Sequence, residues 1–278
     1  MKRKEFSRTF LAVVKNVKYI SRILIIALVG ITFLGCNKAT KKQQQDVDFR
    51  FQRGKQYFEK GSYYKAIDDF NFVVLNNPGG ERADDAQLYV GDAHYELDEY
   101  VVAASEYRRL LRRYPESPLV EQAQYKLGMC FVELSPQYAL DQEYTRQAIR
   151  TLQNFLEDFP YSKYKEEITA QIDNLRGKLS HKAYANGHLY YVLRQYDSAV
   201  IYYDELLAQY YDTEWANPAR LDRAKSLVKL NRDDDAIAQL RELLDRQPNE
   251  EIRLEAESLL QELTEPPAEV AENANDPE

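Results

Sequence analysis

The stretch GKQYFEKGSYYKAIDDFNFVVLNNP, residues 54–78, decides the fold, because its spacing returns along the chain. Gly54 is followed by Tyr57, Ala66, Phe70 and Pro78, at offsets of 3, 12, 16 and 24 residues. Gly91 leads to His94, Ala103, Tyr107 and Pro115 at the same four offsets. Gly187 leads to Tyr190, Ala199 and Tyr203, with Tyr211 where proline would stand; Ala224 leads to Leu227, Ala236, Leu240 and Pro248. A further copy starts at Gly128 and Phe131, but its Ala148, Leu152 and Pro160 arrive eight residues late. Glycine inside a helix costs ~1 kcal/mol relative to alanine. Even so, four of the eight glycines after residue 35 occupy this one offset. Close approach of a partner helix accounts for that, with the alanine of the second helix expected to meet the glycine. The two larger residues fill the space between layers, and proline ends the second helix. Ser117-Pro118 and Asn217-Pro218 read as cap and first-turn signals that open the next helix.

Five copies of small, large, small, large, proline are the tetratricopeptide pattern. The expected fold is therefore all-α: a right-handed superhelical solenoid of about five tetratricopeptide repeats. Successive copies begin 37 residues apart, except that Gly128 and Gly187 are separated by 59. Eight of the extra residues fall between the two helices of repeat three, around 135–142. The other fourteen lie between Pro160 and repeat four, where Ile168, Ile172, Leu175 and Leu179 keep helical spacing. Fourteen residues make close to four turns at ~3.6 residues per turn. One long helix from about Ser162 to Leu193 thus bridges repeats three and four with its packing face unchanged. The expected organisation is repeats one to three over 47–161, and the bridging helix with repeats four and five over 162–263. Residues 264–278, with Pro266-Pro267 and acids but no base, form an acidic disordered tail.

The first 22 residues are basic, and Ile23 to Leu34 form a twelve-residue apolar run. As a helix that run spans about 18 Å, short of the ~30 Å hydrocarbon core of a bilayer. Residues 1–35 therefore read as a secretory signal. The run ends at Phe33-Leu34-Gly35-Cys36, which resembles a bacterial lipobox with Cys36 as the acylated residue. A signal anchor or an ordinary secretory signal is the alternative. Residues 36–46 are a polar tether, and Asn37 rather than aspartate beside the cysteine favours the outer membrane. The formal net charge is −8, with +6 on residues 1–35 and −14 on the remainder. So acidic a body repels phosphate backbones, and no nucleic-acid partner is expected.

Taken together, the lipobox, short tether, five repeats and bridging helix resemble the BamD (YfiO-type) lipoprotein family of the outer-membrane β-barrel assembly machinery. The third repeat carries the closest likeness: Leu134-Ser-Pro-Gln-Tyr-Ala-Leu-Asp-Gln-Glu-Tyr-Thr-Arg-Gln-Ala-Ile149 is similar to the family signature, in which a Ser-Pro pair precedes an Asp-Gln…Thr…Ala-Ile run. The resemblance implies a non-enzymatic scaffold, anchored by lipid at the periplasmic face of the outer membrane. Its implied partners are the barrel insertase at the C-terminal repeats, unfolded outer-membrane protein segments at the N-terminal repeats, and possible further assembly lipoproteins. A generic tetratricopeptide lipoprotein that coordinates peptidoglycan enzymes is the alternative. The first helix of each repeat presents about one side chain per turn to the inner surface. In repeats one to three these are Phe51, Lys55, Phe58, Leu88, Asp92, Tyr95, Tyr125, Met129 and Val132, a mixture suited to an extended peptide with alternating apolar residues.

Other features point away from chemistry. His181 and His188 lie seven residues apart on one helix and are expected to be exposed, since chelation from a helix wants i, i+4 spacing. Cys130 sits in an apolar stretch and reads as a buried thiol. Arg108-Arg109 and Arg112-Arg113 read as solvated surface, and Asp233-Asp234-Asp235 as acids at a helix N-terminus. There is no glycine-rich phosphate loop, no Gly-x-Ser-x-Gly elbow and no His-Glu-x-x-His, so neither enzyme activity, metal nor cofactor is expected.

Overall fold

A computed structural model describes residue 44 and residues 46–265 of the 278-residue chain. The expected signal segment, Cys36, most of the tether and the tail from residue 266 lie outside the described residues. Among the described residues there are eleven helices and no strand. These are α1 (46–59), α2 (Tyr63–Asn76), α3 (Ala83–Tyr95), α4 (Tyr100–Arg113), α5 (Val120–Leu134), α6 (Glu143–Asp158), α7 (Lys165–Val192), α8 (Tyr196–Tyr210), α9 (Ala216–Lys229), α10 (Asp233–Asp245) and α11 (Glu250–Thr264). Ten of them pair into the five repeats, and α11 follows as a single helix.

The chain divides into two compact units after Leu119. The first holds repeats one and two; the second holds repeats three to five and α11. The boundary expected at 161/162 therefore falls inside the second unit. Tyr125 of α5 stacks on Tyr164 at 3.9 Å and donates a hydrogen bond to Glu167 of α7, tying repeat three to the long helix.

A shared turn closes the first helix of four repeats. Gly61, Asp98, Arg194 and Asn231 all have φ between 58° and 70°, and each lies seven residues past the repeat's small residue. The next residue then donates its N–H five residues back: Ser62 to Tyr57, Glu99 to His94, Gln195 to Tyr190 and Arg232 to Leu227. That is a Schellman ending. The carbonyls of the same four residues accept from Ala66, Ala103, Ala199 and Ala236, starting the second helix at once. Only the first of these left-handed positions is glycine, so the turn leaves little trace in composition.

The repeat glycines meet the larger residue at offset 16, not the alanine at offset 12. A Cβ built on Gly54 would lie 2.9 Å from the ring of Phe70, on Gly91 2.6 Å from Tyr107, and on Gly187 2.7 Å from Tyr203. In repeat three the neighbour of Gly128 is Leu152 Cδ2, at 2.5 Å. The expected alanine contact is thus corrected: the glycine is the floor on which a ring or leucine lies. The alanines Ala66, Ala103, Ala148, Ala199 and Ala236 are all fully buried in their own right. In repeat five Ala224 and Leu240 share one buried cluster.

The bridging helix is continuous, 28 residues from Lys165 to Val192, and buries Ile168, Ile172 and Leu175. Two cap expectations are corrected. Helix α9 begins at Ala216, so Asn217-Pro218 stands inside its first turn. Ser117 Oγ instead accepts from Leu119 N and donates to Asp84, stitching the turn before α5 onto α3. The three aspartates 233–235 do occupy the first turn of α10.

Candidate partner-binding surfaces

In the first unit three of the anticipated groove residues, Phe51, Lys55 and Phe58, gather around the ring of Tyr89. It stacks on Phe70 at 4.9 Å and receives the edges of Phe51 at 6.1 Å and Phe58 at 5.5 Å. Lys55 Nζ lies 6.0 Å from the same ring. Phe51 and Leu88, however, are only 3% and 6% exposed, so they belong to the core and not to a presenting surface. Both stand three residues before the repeat glycine, a position that turns inward in repeats one and two. Lys55, Phe58, Asp92 and Tyr95 are half-buried. Asp92 accepts a 2.7 Å hydrogen bond from the Tyr107 hydroxyl, and Tyr95 meets Tyr100 edge-on.

Helix α1 is tied to α2 by charge. Asp69 of α2 is 1% exposed and accepts from Arg50 at 2.7 Å and from Arg53 at 2.6 Å. Burial pushes the Asp69 carboxyl upward, but the hydrogen bonds from Arg53 and Arg50 outweigh it and hold its pKa low.

In the second unit Tyr125, Met129 and Val132 are half-buried on α5. Burial and the Glu167 carboxylate push the Tyr125 hydroxyl pKa up, so it is a fixed donor at any physiological pH. The eight-residue insertion of repeat three is ordered against α7. Gln142, 1% exposed, donates to the carbonyls of Gln137 and Leu140 and accepts from Thr145. Lys178 reaches the carbonyl and hydroxyl of Ser135, and Lys182 reaches the carbonyls of Ala139 and Leu140. Ser135, Gln142 and Thr145 of the segment therefore form a clamp that folds the loop and ties it to the long helix.

His181 is not exposed as expected. Its ring stacks between Tyr138 of the loop, at 3.5 Å, and Trp215 at the head of α9, at 3.9 Å. Burial lowers its pKa, and the charge of Glu214 opposes this only in part. His188 is half-exposed and lies 3.3 Å from Asp222, a 7%-exposed carboxylate that also accepts from Tyr184 and Lys225. Burial and that carboxylate raise the Tyr184 pKa.

Among the described residues no group of three or more His, Cys, Asp or Glu side chains could hold a metal ion, and Cys130 is fully buried. No helix among them is long and apolar enough to cross a membrane. Arg109 pairs with Glu106 at 2.8 Å on α4.

Against known proteins, the family model described as YfiO, outer membrane lipoprotein, matches residues 43–233, and a tetratricopeptide-repeat model matches residues 219–250. The chain belongs to the YfiO outer membrane lipoprotein family. The YfiO match starts seven residues past Cys36 and runs through the loop clamp and the bridging helix to the head of α10. A curated relative, "Outer membrane protein assembly factor BamD" of Caulobacter vibrioides, is 23% identical over 168 residues, covering 59% of this chain and 55% of the relative. The match thus spans about half the length of that relative. Among solved structures, the TPR2AB domain of yeast Sti1 in complex with pHSP90 is similar over 82% of this chain and 85% of that one, at 17% identity and a TM-score of 0.43. A tetratricopeptide protein of Thermus thermophilus covers 77% of this chain and 98% of its own, at 21% identity and a TM-score of 0.33. Family membership rests on the YfiO match.

Proposed function

We infer that the chain is an outer-membrane protein assembly factor, a lipid-anchored scaffold of the β-barrel assembly machinery. The observation that carries this reading is the YfiO match across 43–233, supported by the assembly-factor name of the Caulobacter relative. Acylation of Cys36 supplies the anchor at the periplasmic face of the outer membrane. Each buried CH₂ contributes ~0.8 kcal/mol, so several acyl chains on one cysteine hold a soluble domain at a bilayer. The chain's work is binding, not catalysis.

In this reading repeats one to three accept unfolded outer-membrane protein segments. Lys55, Phe58, Asp92 and Tyr95 are the contact residues in the first unit, and Tyr125, Met129 and Val132 those in the second. Phe51 and Leu88 support the surface from beneath. The bridging helix with repeats four and five, 162–263, docks a periplasmic domain of the barrel insertase, and other assembly lipoproteins are further candidate partners. Affinity isolation of the lipidated chain from membranes tests this: recovery of the barrel insertase is expected. Recovery of a murein hydrolase in its place would favour an adaptor for peptidoglycan enzymes. Cys36→Ser should move the chain from the membrane to the soluble periplasmic fraction, and unchanged retention would remove the anchor from the account.

A further inference from the structure

The start of the described chain is tied to one edge of the first unit. Gln44 accepts a 2.9 Å hydrogen bond from the Asn77 side chain at the end of α2, and the Asn77 carbonyl accepts from Gly80 N at 3.0 Å. Gln44 is eight residues from Cys36, a reach of at most about 29 Å at ~3.6 Å per residue. An acyl group on Cys36 therefore keeps the turn 77–82 within about that distance of the bilayer surface. The opposite edge, where α2 starts, stands a 14-residue helix away, about 21 Å.

On this edge lies a cleft of about 530 Å³, lined by Gly79, Glu81, Asp84, Arg113, Tyr114 and Glu116. Asp84 is already engaged, accepting from Ser117 Oγ and Asp85 N. Glu81, Arg113 and Glu116 are exposed, and among the described residues no ion pair joins the arginine to either glutamate. One cation and two carboxylates thus face a single cleft without neutralising one another. The Arg113 guanidinium lies 5.8 Å from the Tyr114 ring, and the Tyr114 hydroxyl is enclosed with no acceptor among the described residues. The space in front of Gly79 is open, since a Cβ there would meet nothing within 4 Å. These features do not belong to every inter-repeat turn. In the corresponding cleft of repeat three, Asp158 and Phe159 replace Arg113 and Tyr114, and Asp158 is already bonded by Gln124.

We propose that this cleft binds the headgroup of a zwitterionic phospholipid with a primary amine, phosphatidylethanolamine, in the bilayer that anchors the chain. It rests on the acylation of Cys36. Arg113 takes the phosphate, to which a guanidinium offers two parallel donors, and Glu81 and Glu116 take the ammonium. The charges select among headgroups. A purely anionic headgroup such as phosphoglycerol would meet the two carboxylates with nothing to offset them, and an anionic surface as a whole repels a body of −14. A primary ammonium offsets the carboxylates and supplies three N–H donors. The trimethylammonium of phosphocholine supplies none.

Two measurements test this, one of them without the anchor. The mature chain, residues 36–278 with Cys36→Ser, is titrated with sn-glycero-3-phosphoethanolamine and followed by amide NMR. Shifts should centre on Gly79, Gly80, Glu81 and Glu116 and leave residues 159–163 still. Affinity should fall about tenfold or more for Arg113→Glu, the loss of one charge-assisted hydrogen bond, with the melting temperature unchanged. The phosphoglycerol and phosphocholine analogues should each bind several-fold more weakly. In the cells that make the chain, the photo-crosslinking residue p-benzoyl-phenylalanine at position 116 should give phosphatidylethanolamine adducts. At position 64, 63% exposed on the opposite edge, it should give none. The mass of the Cys36 peptide from the same cells reports acylation separately. Headgroup binding in solution, by a chain whose Cys36 is found unmodified in cells, would uphold the cleft and remove the anchor. Shifts that miss the cleft, equal affinity for the three headgroups, unchanged affinity in Arg113→Glu, or an acylated chain with no lipid adduct from position 116 would overturn the proposal.

Discussion

Gly91 forms the floor for the ring of Tyr107: a Cβ on the glycine would stand 2.6 Å from ring Cε1, and the same ring reaches on to Asp92 through its hydroxyl. The ring is fully buried and bonded, so it has nowhere to move. Overpacking of this kind costs about 1–3 kcal/mol, which exceeds the ~1 kcal/mol that alanine gains over glycine in a helix. Gly91→Ala should therefore lower stability in urea unfolding. Gly177→Ala, whose nearest neighbour would be Glu214 Oε1 at 3.5 Å, should raise it by up to about 1 kcal/mol. Gly128→Ala should fall between them, because Leu152 Cδ2 is the end of a flexible side chain.

Asp69 links acidity to the seating of α1. Its pKa is held below the ordinary carboxylate value, so its contribution is complete above the unfolded value of about 3.9. It is lost as pH falls through the folded value. Asp69→Asn should cost about 1–3 kcal/mol near neutral pH. The variant should also lose the part of the acid-unfolding slope that belongs to this group, as read by circular dichroism across pH 2–6 (about the carboxylate range).

Gln142 holds the insertion of repeat three closed from inside. Replacing it with alanine leaves the Gln137 and Leu140 carbonyls without its amide and the Thr145 hydroxyl with Ser135 as its remaining side-chain partner. A loss of about 1–3 kcal/mol is expected. Faster amide exchange should appear over residues 136–141 and not over α10.

Trp215 is the single tryptophan of the chain, and it reports on His181. Burial keeps the folded imidazole pKa below the ordinary 6.5, so above that pH neither folded nor unfolded chain binds a proton there. Below it the unfolded chain binds first, and stability falls with pH until the folded ring also titrates. Indole emission should be flat above pH 6.5 and quenched at lower pH, and His181→Gln should abolish the quenching step.

Much of this was legible in the chain itself, and the rest was hidden for physical reasons. The spacing of a small residue, glycine in four repeats and Ala224 in the fifth, located every repeat, and the fourteen-residue surplus located the continuous α7, because helix periodicity survives insertion of whole turns. Phe51 and Leu88 were misplaced on the inner surface. A one-per-turn register gives a residue's side of the helix but not how deeply neighbouring side chains cover it, as Tyr89 of α3 covers Phe51 of α1. The partner of the repeat glycine was misassigned for a similar reason: offset 12 and offset 16 lie one turn apart on the same face of the second helix. The stack of Tyr138, His181 and Trp215 joins three segments far apart in sequence, and no local pattern announces it. Of the left-handed turn residues, Arg194 was equally silent, whereas Gly61 is the type that marks such a turn and Asp98 and Asn231 are types that tolerate it.

Cross-linking mass spectrometry on intact envelopes tests the central claim most directly. The account predicts cross-links from residues 162–263 to a periplasmic domain of the barrel insertase, and from residues 49–160 to chains of outer-membrane proteins in transit. Cross-links from both regions to peptidoglycan enzymes, with none to the insertase, would contradict it.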